Sequence, residues 1–74
     1  MKLDSAEIGR VVRLTRKSLG VTQKDLALTS GTGMRFIGEL EKGKASCQLG
    51  KVLTVLQTLG IRIHVSPPGN IADS

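Results

Sequence analysis

The chain has 74 residues, of which 11 are Lys or Arg and 6 are Asp or Glu, so its net charge is +5 at pH 7. A chain of this length excludes a multidomain enzyme and forms one small domain, which hides only about 60% of the surface that the unfolded chain exposes. With one Phe and no Tyr or Trp, the core must consist of aliphatic side chains. The basic excess favours nucleic acid as the partner, ahead of acidic proteins or an anionic membrane.

The cysteine content and the N-terminal residues indicate in which cellular compartment the protein is expected. Cys47 is the only cysteine, so the chain forms no internal disulfide, and one cysteine with one histidine is too few for a zinc site. Because of Asp4 and Glu7, and because the N-terminal residues lack an apolar stretch, we expect no signal peptide. No apolar run reaches the ~20 residues that span a bilayer. We therefore expect a cytoplasmic protein with no membrane partner, no metal ion and no other cofactor.

The first predicted helix covers residues 5–19. Ser5 suits the N-cap, and Gly20 suits the position after the helix end, where a positive φ is common. Apolar residues at helical spacing predict the buried face. This face comprises Ile8, Val11, Val12, Thr15 and Leu19.

A second, shorter helix is predicted over residues 22–30. Thr22 and Asp25 resemble a capping box, in which each side chain accepts a hydrogen bond from the backbone of the other residue. Leu26 and Ala27 supply the buried side of this helix.

A turn follows, because residues 30–33 read Ser-Gly-Thr-Gly. The third helix is predicted over residues 34–42, and Gly43 ends it. Ile37 and Leu40 lie three residues apart on this helix, so both point to one core.

The fourth helix is predicted over residues 48–59, with Ser46 as its cap and Gly60 at its end. Its apolar residues give the strongest helical periodicity in the chain. The predicted buried residues are Leu49, Val52, Leu53, Leu56 and Leu59.

Residues 61–65 predict a short strand, because apolar and polar residues alternate and three of the five are β-branched. The sequence holds no second strand-like segment, and a lone strand leaves its backbone donors and acceptors unpaired. We therefore predict a homodimer in which this strand pairs with its own copy through Ile61, Ile63 and Val65. Residues 66–74 are expected to form a flexible tail.

Helices two and three have the features of a helix-turn-helix. The small side chain of Ala27 lets the two helices cross closely, and Gly31 adopts a positive φ without steric cost. Ile37 and Leu40 fix the third helix on the second, which opens at Gln23. Such a motif places its second helix in the major groove of DNA.

Several segments of the sequence resemble a known family. The segments VTQKDLA at 21–27, Ile37, EKGK at 41–44 and LG at 59–60 are similar to the Cro/CI-type (XRE) helix-turn-helix family, without a gap over about residues 6–61. The resemblance implies a mainly α, four- to five-helix, lambda-repressor-like DNA-binding domain over residues 1–65. Residues 31–37 and the terminal strand resemble HipB-type antitoxins, which implies a C-terminal strand paired across a homodimer and a HipA-type kinase toxin as partner.

The residues expected to touch DNA follow from the motif. Gln23 opens the second helix, where an amide side chain and backbone N–H groups can hold a phosphate, a role that the resemblance also implies. Arg35 is the best reader of a base, since its two terminal nitrogens fit guanine O6 and N7. The full predicted set is Gln23, Gly33, Met34, Arg35, Gly38, Glu39, Lys42 and Lys44.

The remaining members of this set have weaker assignments. Met34 is suited to a thymine methyl group, Gly38 permits close approach, and Lys42 with Lys44 suits a phosphate clamp. Glu39 has three interpretations: an acceptor from cytosine N4, a residue that orients Arg35 one turn away, or an anti-specificity or structural charge that reads no base.

Arg16 and Glu41 match a pair that, in the family, links helix one to the end of helix three. This pair would fix the third helix for docking on DNA. The alternative is an exposed ion pair, which stabilises a fold by less than ~1 kcal/mol.

The sequence therefore predicts a sequence-specific repressor that binds a palindromic operator as a homodimer and serves as a HipB-like antitoxin. The alternatives are a stand-alone or phage-type repressor and a helix-turn-helix module that binds only proteins. Catalysis is not expected, because the chain lacks a nucleophile–His–acid set, paired carboxylates and a phosphate-binding glycine loop.

Overall fold

Four helices make up the fold of residues 3–69, the part of the chain that this computed structural model describes. They are α1 (Ser5–Ser18), α2 (Gln23–Ser30), α3 (Met34–Glu41) and α4 (Leu49–Thr58). The mainly α fold class is thus confirmed, and each helix lies within one or two residues of its predicted bounds. Among these residues, no helix has the length and apolar character that a membrane span requires.

The two ends of α1 are set by local hydrogen bonds. Its N-cap is Asp4, whose Oδ1 accepts from the Glu7 N–H at 2.9 Å. The prediction of Ser5 as the cap is wrong, because Ser5 already lies in the first turn. Gly20 takes a φ of 70° just past the helix, as predicted. Leu19 is the C-cap residue and is exposed, so its predicted burial is also wrong.

The capping box of α2 forms as predicted. Thr22 Oγ1 accepts from the Asp25 N–H at 3.0 Å, and Asp25 Oδ2 accepts from the Thr22 N–H at 3.4 Å. Gly31 ends the helix with a φ of 70°. These contacts fix both the start of α2 and the direction of the chain into α3.

The end of α3 lies directly against α1. A Cβ on Gly9 would overlap the carbonyl oxygen of Leu40, and a Cβ on Gly43 would lie 2.8 Å from Ala6 Cα. Two glycines therefore allow the two backbones to touch. The close approach at Gly9 was not predicted.

One core joins all four helices. Its buried residues are Val12, Leu26, Ala27, Ile37, Leu40, Val52, Val55 and Leu56. All of these except Val55 were predicted to be buried. Among the described residues, this cluster unites the helix-turn-helix with the helices on either side of it.

Helix α4 faces the core with a different stripe from the predicted one. Val55 is fully buried, whereas the predicted core residues Leu49 and Leu53 are 68% and 41% exposed. The N-cap is Gln48 without a side-chain hydrogen bond, so the prediction of Ser46 as the cap is wrong. Two leucines on α4 are left on the surface.

The chain beyond α4 first returns to the core. The Ile61 N–H donates to the carbonyl of Leu56 at 2.8 Å, and the Ile61 side chain is partly buried against the core. Ile63 and Val65 are exposed. Residues 61–69 carry no strand in the single described chain, and since a strand here requires a partner chain, the predicted strand over 61–65 stays a prediction.

The boundary between a domain over residues 1–65 and a tail over 66–74 also stays a prediction. Positions 66–69 are exposed. The rest of the predicted tail, 70–74, lies outside the described residues.

Candidate nucleic-acid interface

The helix-turn-helix is formed by α2, the turn at Gly31 and α3. The Thr32 N–H donates to the carbonyl of Ala27 at 2.9 Å, which closes the turn. Ile37 and Leu40 are buried against the core, as predicted. Because these two residues face inward, the opposite side of α3 faces solvent.

The outer side of α3 holds most of the predicted DNA-binding residues. Arg35 lies in solvent, with 92% of its side chain exposed. A Cβ on Gly38 would have no neighbour within 4 Å, so the middle of this surface is free of obstruction. Gly33, Met34, Lys42 and Lys44 are exposed, and Gly38 and Glu39 are partly buried. We call the surface formed by Gly33, Met34, Arg35, Gly38, Glu39, Lys42 and Lys44 the outer face of α3.

A charge network crosses the outer face of α3. Glu39 Oε1 lies 3.3 Å from Arg35 Nε, and Glu39 Oε2 contacts Lys44 Nζ. The hydrogen bond from Lys44 holds the pKa of the Glu39 carboxyl below its usual value, and Arg35 adds to this effect, although partial burial opposes it. Glu39 is therefore ionised at neutral pH, and its predicted contact with Arg35 is present.

Gln23 lies beside the outer face but is already held by a protein contact. Its Nε2 donates to Glu41 Oε1 at 3.1 Å. An amide nitrogen carries two hydrogens, so one remains for a phosphate at the N-terminus of α2. The contact with Glu41 fixes the direction in which this hydrogen points.

Arg16 and Glu41 form a buried, two-pronged ion pair. Arg16 Nε and Nη2 donate to the two carboxylate oxygens at 2.6 and 3.0 Å, and Nη1 donates to the carbonyl of Val21 at 2.9 Å. The side chains are only 10% and 4% exposed, so the alternative of a weak surface pair is wrong. Burial raises the pKa of the Glu41 carboxyl, but the hydrogen bonds from Arg16 and Gln23 outweigh it and lower the pKa overall.

One cation near this surface was missed in the sequence. Lys51, in the first turn of α4, places its Nζ 5.8 Å from the centre of the Phe36 ring on α3. This distance permits a cation–π contact. No local pattern around Lys51 signals it, because the contact depends on how α4 packs against α3.

Comparison with known proteins places the chain in a family. The family model described as Helix-turn-helix matches residues 12–65. The chain is 52% identical over 64 residues to the HTH-type transcriptional regulator y4mF of Sinorhizobium fredii, covering 86% of this chain and 84% of that protein. It is 36% identical over 53 residues to an HTH-type transcriptional regulator of Haemophilus influenzae, covering 72% of this chain and 54% of that one.

Solved structures share the fold. A chain of the HipA-HipB-O2-O3 complex superposes with a TM-score of 0.80 at 20% identity, covering 92% of this chain and 96% of that one. The restriction-modification controller protein C.AhdI from Aeromonas hydrophila gives a TM-score of 0.69 at 29% identity, covering 80% of this chain and 86% of that one. Family and fold agree with the sequence pattern at 21–27 and 41–44. The chain therefore belongs to the Cro/CI-type (XRE) helix-turn-helix family of transcriptional regulators, a non-enzymatic class of DNA-binding proteins.

Proposed function

We propose that this chain is a sequence-specific repressor that binds a palindromic operator as a homodimer and acts in the cytoplasm as the antitoxin of a toxin–antitoxin operon. The single observation that carries the DNA-binding part is the outer face of α3. It presents the exposed Arg35 beside the unobstructed backbone at Gly38, and the cations Lys42 and Lys44 follow at its end. This combination suits base contacts from the helix and phosphate contacts beyond it.

The buried network behind α3 supports docking in one orientation. Glu41 receives hydrogen bonds from Arg16 on α1 and Gln23 on α2, so three helices meet at one carboxylate. Gln23 and the free N–H groups at the start of α2 then meet a phosphate while α3 lies in the groove. Phosphate contacts of this kind set the register in which the bases are read.

The antitoxin role rests on the fold and on the surfaces left free by DNA. Solved structures that share this fold include the HipA-HipB-O2-O3 complex and the HipB-O4 20mer complex. A toxin that covered the outer face of α3 would prevent repression, so the toxin must dock elsewhere. The outer side of α1 offers Arg13, Leu14 and Lys17, which are all exposed.

Arg35→Ala is the experiment that tests DNA recognition. We expect discrimination between a duplex selected from a random library and a scrambled copy to fall about tenfold or more, since a base contact contributes ~1–3 kcal/mol of discrimination. The matched control is Lys42→Ala, which should weaken both duplexes alike and reduce the salt slope by about one. Titrations at several salt concentrations measure both effects. Equal losses on both duplexes for Arg35→Ala would mean that Arg35 holds phosphate rather than a base.

The antitoxin role predicts a complex with a kinase-type toxin encoded beside this chain. We expect a pull-down with that toxin to succeed equally with free dimer and with dimer on its operator. Competition between toxin and operator would contradict separate surfaces. If no toxin binds, a stand-alone repressor replaces the antitoxin as the proposed function.

A DNA affinity that does not change with salt would favour the module that binds only proteins, because phosphate contacts release counterions.

A further inference from the structure

We propose that Glu39 is a specificity-determining positioning residue, whose carboxylate holds Arg35 and Lys44 together and withholds both cations from DNA of the wrong sequence. This inference rests on the proposed binding of DNA by the outer face of α3. It concerns an acid on a surface that is otherwise suited to a polyanion. In this role Glu39 acts through its neighbours and does not read a base itself.

The contact with Arg35 leaves the base-reading atoms free. Glu39 Oε1 faces Arg35 Nε at 3.3 Å, so the two terminal nitrogens of the guanidinium remain available as donors. These are the atoms that pair with guanine O6 and N7. A guanidinium held at Nε loses less rotational freedom when it meets guanine, because part of its ordering is already complete.

Lys44 is held by two contacts with the same residue. Its backbone N–H donates to the carbonyl of Glu39 at 3.1 Å, and its Nζ contacts Glu39 Oε2. Gly43, with a φ of 83°, turns the chain so that both contacts form together. The position of Lys44 therefore depends on α3 itself rather than on a loop that moves independently of it.

The exposures show which member of the network is the anchor. Glu39 is 29% exposed, whereas Lys44 is 50% exposed and Arg35 is 92% exposed. The acid is the most enclosed of the three, and the two cations extend past it toward solvent. Glu39 therefore lies between the two cations, and its one carboxylate contacts both.

The network weakens binding to DNA of the wrong sequence more than binding to DNA of the correct sequence. Non-specific binding comes from cations that neutralise phosphates and release counterions. An ionised carboxylate that keeps two cations paired lowers the non-specific affinity for DNA, and its own charge repels the phosphates. At the correct sequence, Arg35 gains a base contact without leaving Glu39. The affinity for the correct sequence is therefore lowered less than the affinity for other sequences.

Glu39→Gln tests the proposal in the full-length protein. The probes are a duplex selected from a random library and its scrambled copy, titrated at several salt concentrations. We expect the scrambled duplex to bind about tenfold tighter, with a salt slope steeper by ~0.9 for each freed cation. The ratio of specific to non-specific affinity should fall accordingly. Circular dichroism verifies that the variant is folded.

Glu7→Gln is the matched control. Glu7 pairs with Arg10 at 2.7 Å on α1, and its loss changes the net charge by the same single unit. This control should leave the affinity ratio and the salt slope close to those of the parent.

Three other results would overturn the proposal in distinguishable ways. If Glu39→Gln and Glu7→Gln change the affinity for the scrambled duplex equally, the effect is due to net charge alone. A loss of preference at one C·G pair, with unchanged scrambled affinity, would make Glu39 a reader of cytosine. If the parent binds both duplexes alike, the proposed sequence-specific function fails first, and the role of Glu39 in specificity fails with it.

Discussion

Glu41→Leu should lower the free energy of unfolding by about 3 kcal/mol, because it leaves the guanidinium of Arg16 buried without its carboxylate. The side chain of Arg16 is only 10% exposed, so water replaces the lost partner poorly. Such a loss is a large fraction of the stability of a small domain. Urea unfolding followed by far-UV circular dichroism measures it, since the chain has no Trp or Tyr for fluorescence.

Two further variants separate the ion pair from general effects of substitution. Arg16→Met combined with Glu41→Leu removes both charges and should be more stable than Glu41→Leu alone. Glu7→Gln breaks the pair with Arg10, whose side chain is 59% exposed, and should unfold near the urea midpoint of the parent. A Glu41→Leu midpoint as close to the parent as that of Glu7→Gln would contradict a stabilising role for the buried pair.

The same pair predicts how stability depends on pH. The folded pKa of Glu41 lies below its usual value of 4.5, so the stabilisation from its ionisation is complete above that pH. It is lost as the pH falls through the folded pKa. The difference in stability between parent and Glu41→Leu should therefore narrow below pH 4.5.

Local chemistry explains why the helix-turn-helix could be predicted from the sequence. The capping box of Thr22 and Asp25 and the positive φ of Gly31 each act within a few residues. The spacing of Ile37 and Leu40 then decides which side of α3 faces inward. Once the inward side is known, the outward set follows from helix geometry.

The buried face of α4 could not be predicted from its sequence. Its apolar residues occupy more than one side of the helix, so their spacing is compatible with several buried faces. The packing against the other helices selects Val52, Val55 and Leu56 and leaves Leu49 and Leu53 exposed. Which residues are buried depends on contacts between helices, so the sequence of α4 alone does not determine it.

The sequence also does not show where two helices approach closely, or which of two adjacent residues serves as an N-cap. Gly9 lies in the middle of a helix, and only the position of α3 shows that a side chain would overlap Leu40. Asp4 and Ser5 are adjacent, and both residue types are good N-caps. The contact of Glu39 with Lys44 likewise depends on the path of the chain through Gly43.

The proposed dimer would form at the surface around residues 61–65. One concave surface is lined by Leu53 on α4 and by Ile61, Arg62, Ile63 and Val65 of the predicted strand, and Leu53 and Val65 are 41% and 83% exposed. A second copy that pairs along residues 61–65 would supply the missing backbone partners and cover these side chains. In an antiparallel pair of identical segments, Ile63 lies opposite Ile63 of the other copy, so its side chains meet near the symmetry axis.

Truncation after Gly60 should raise the dimer dissociation constant at least about a hundredfold, because each copy loses apolar side chains that contribute ~1.5–3 kcal/mol when buried. Ile61 also packs on the core of its own chain, so truncation alone could act through folding. Ile63→Asp avoids this problem, since it keeps Ile61 and places two carboxylates face to face across the axis.

Ser66→Asp adds the same charge outside the predicted strand and should leave the dimer intact. Sedimentation equilibrium measures all three variants. A dimer that survives both truncation and Ile63→Asp would exclude residues 61–65 from the interface and leave the exposed leucines of α4 as the surface to test next.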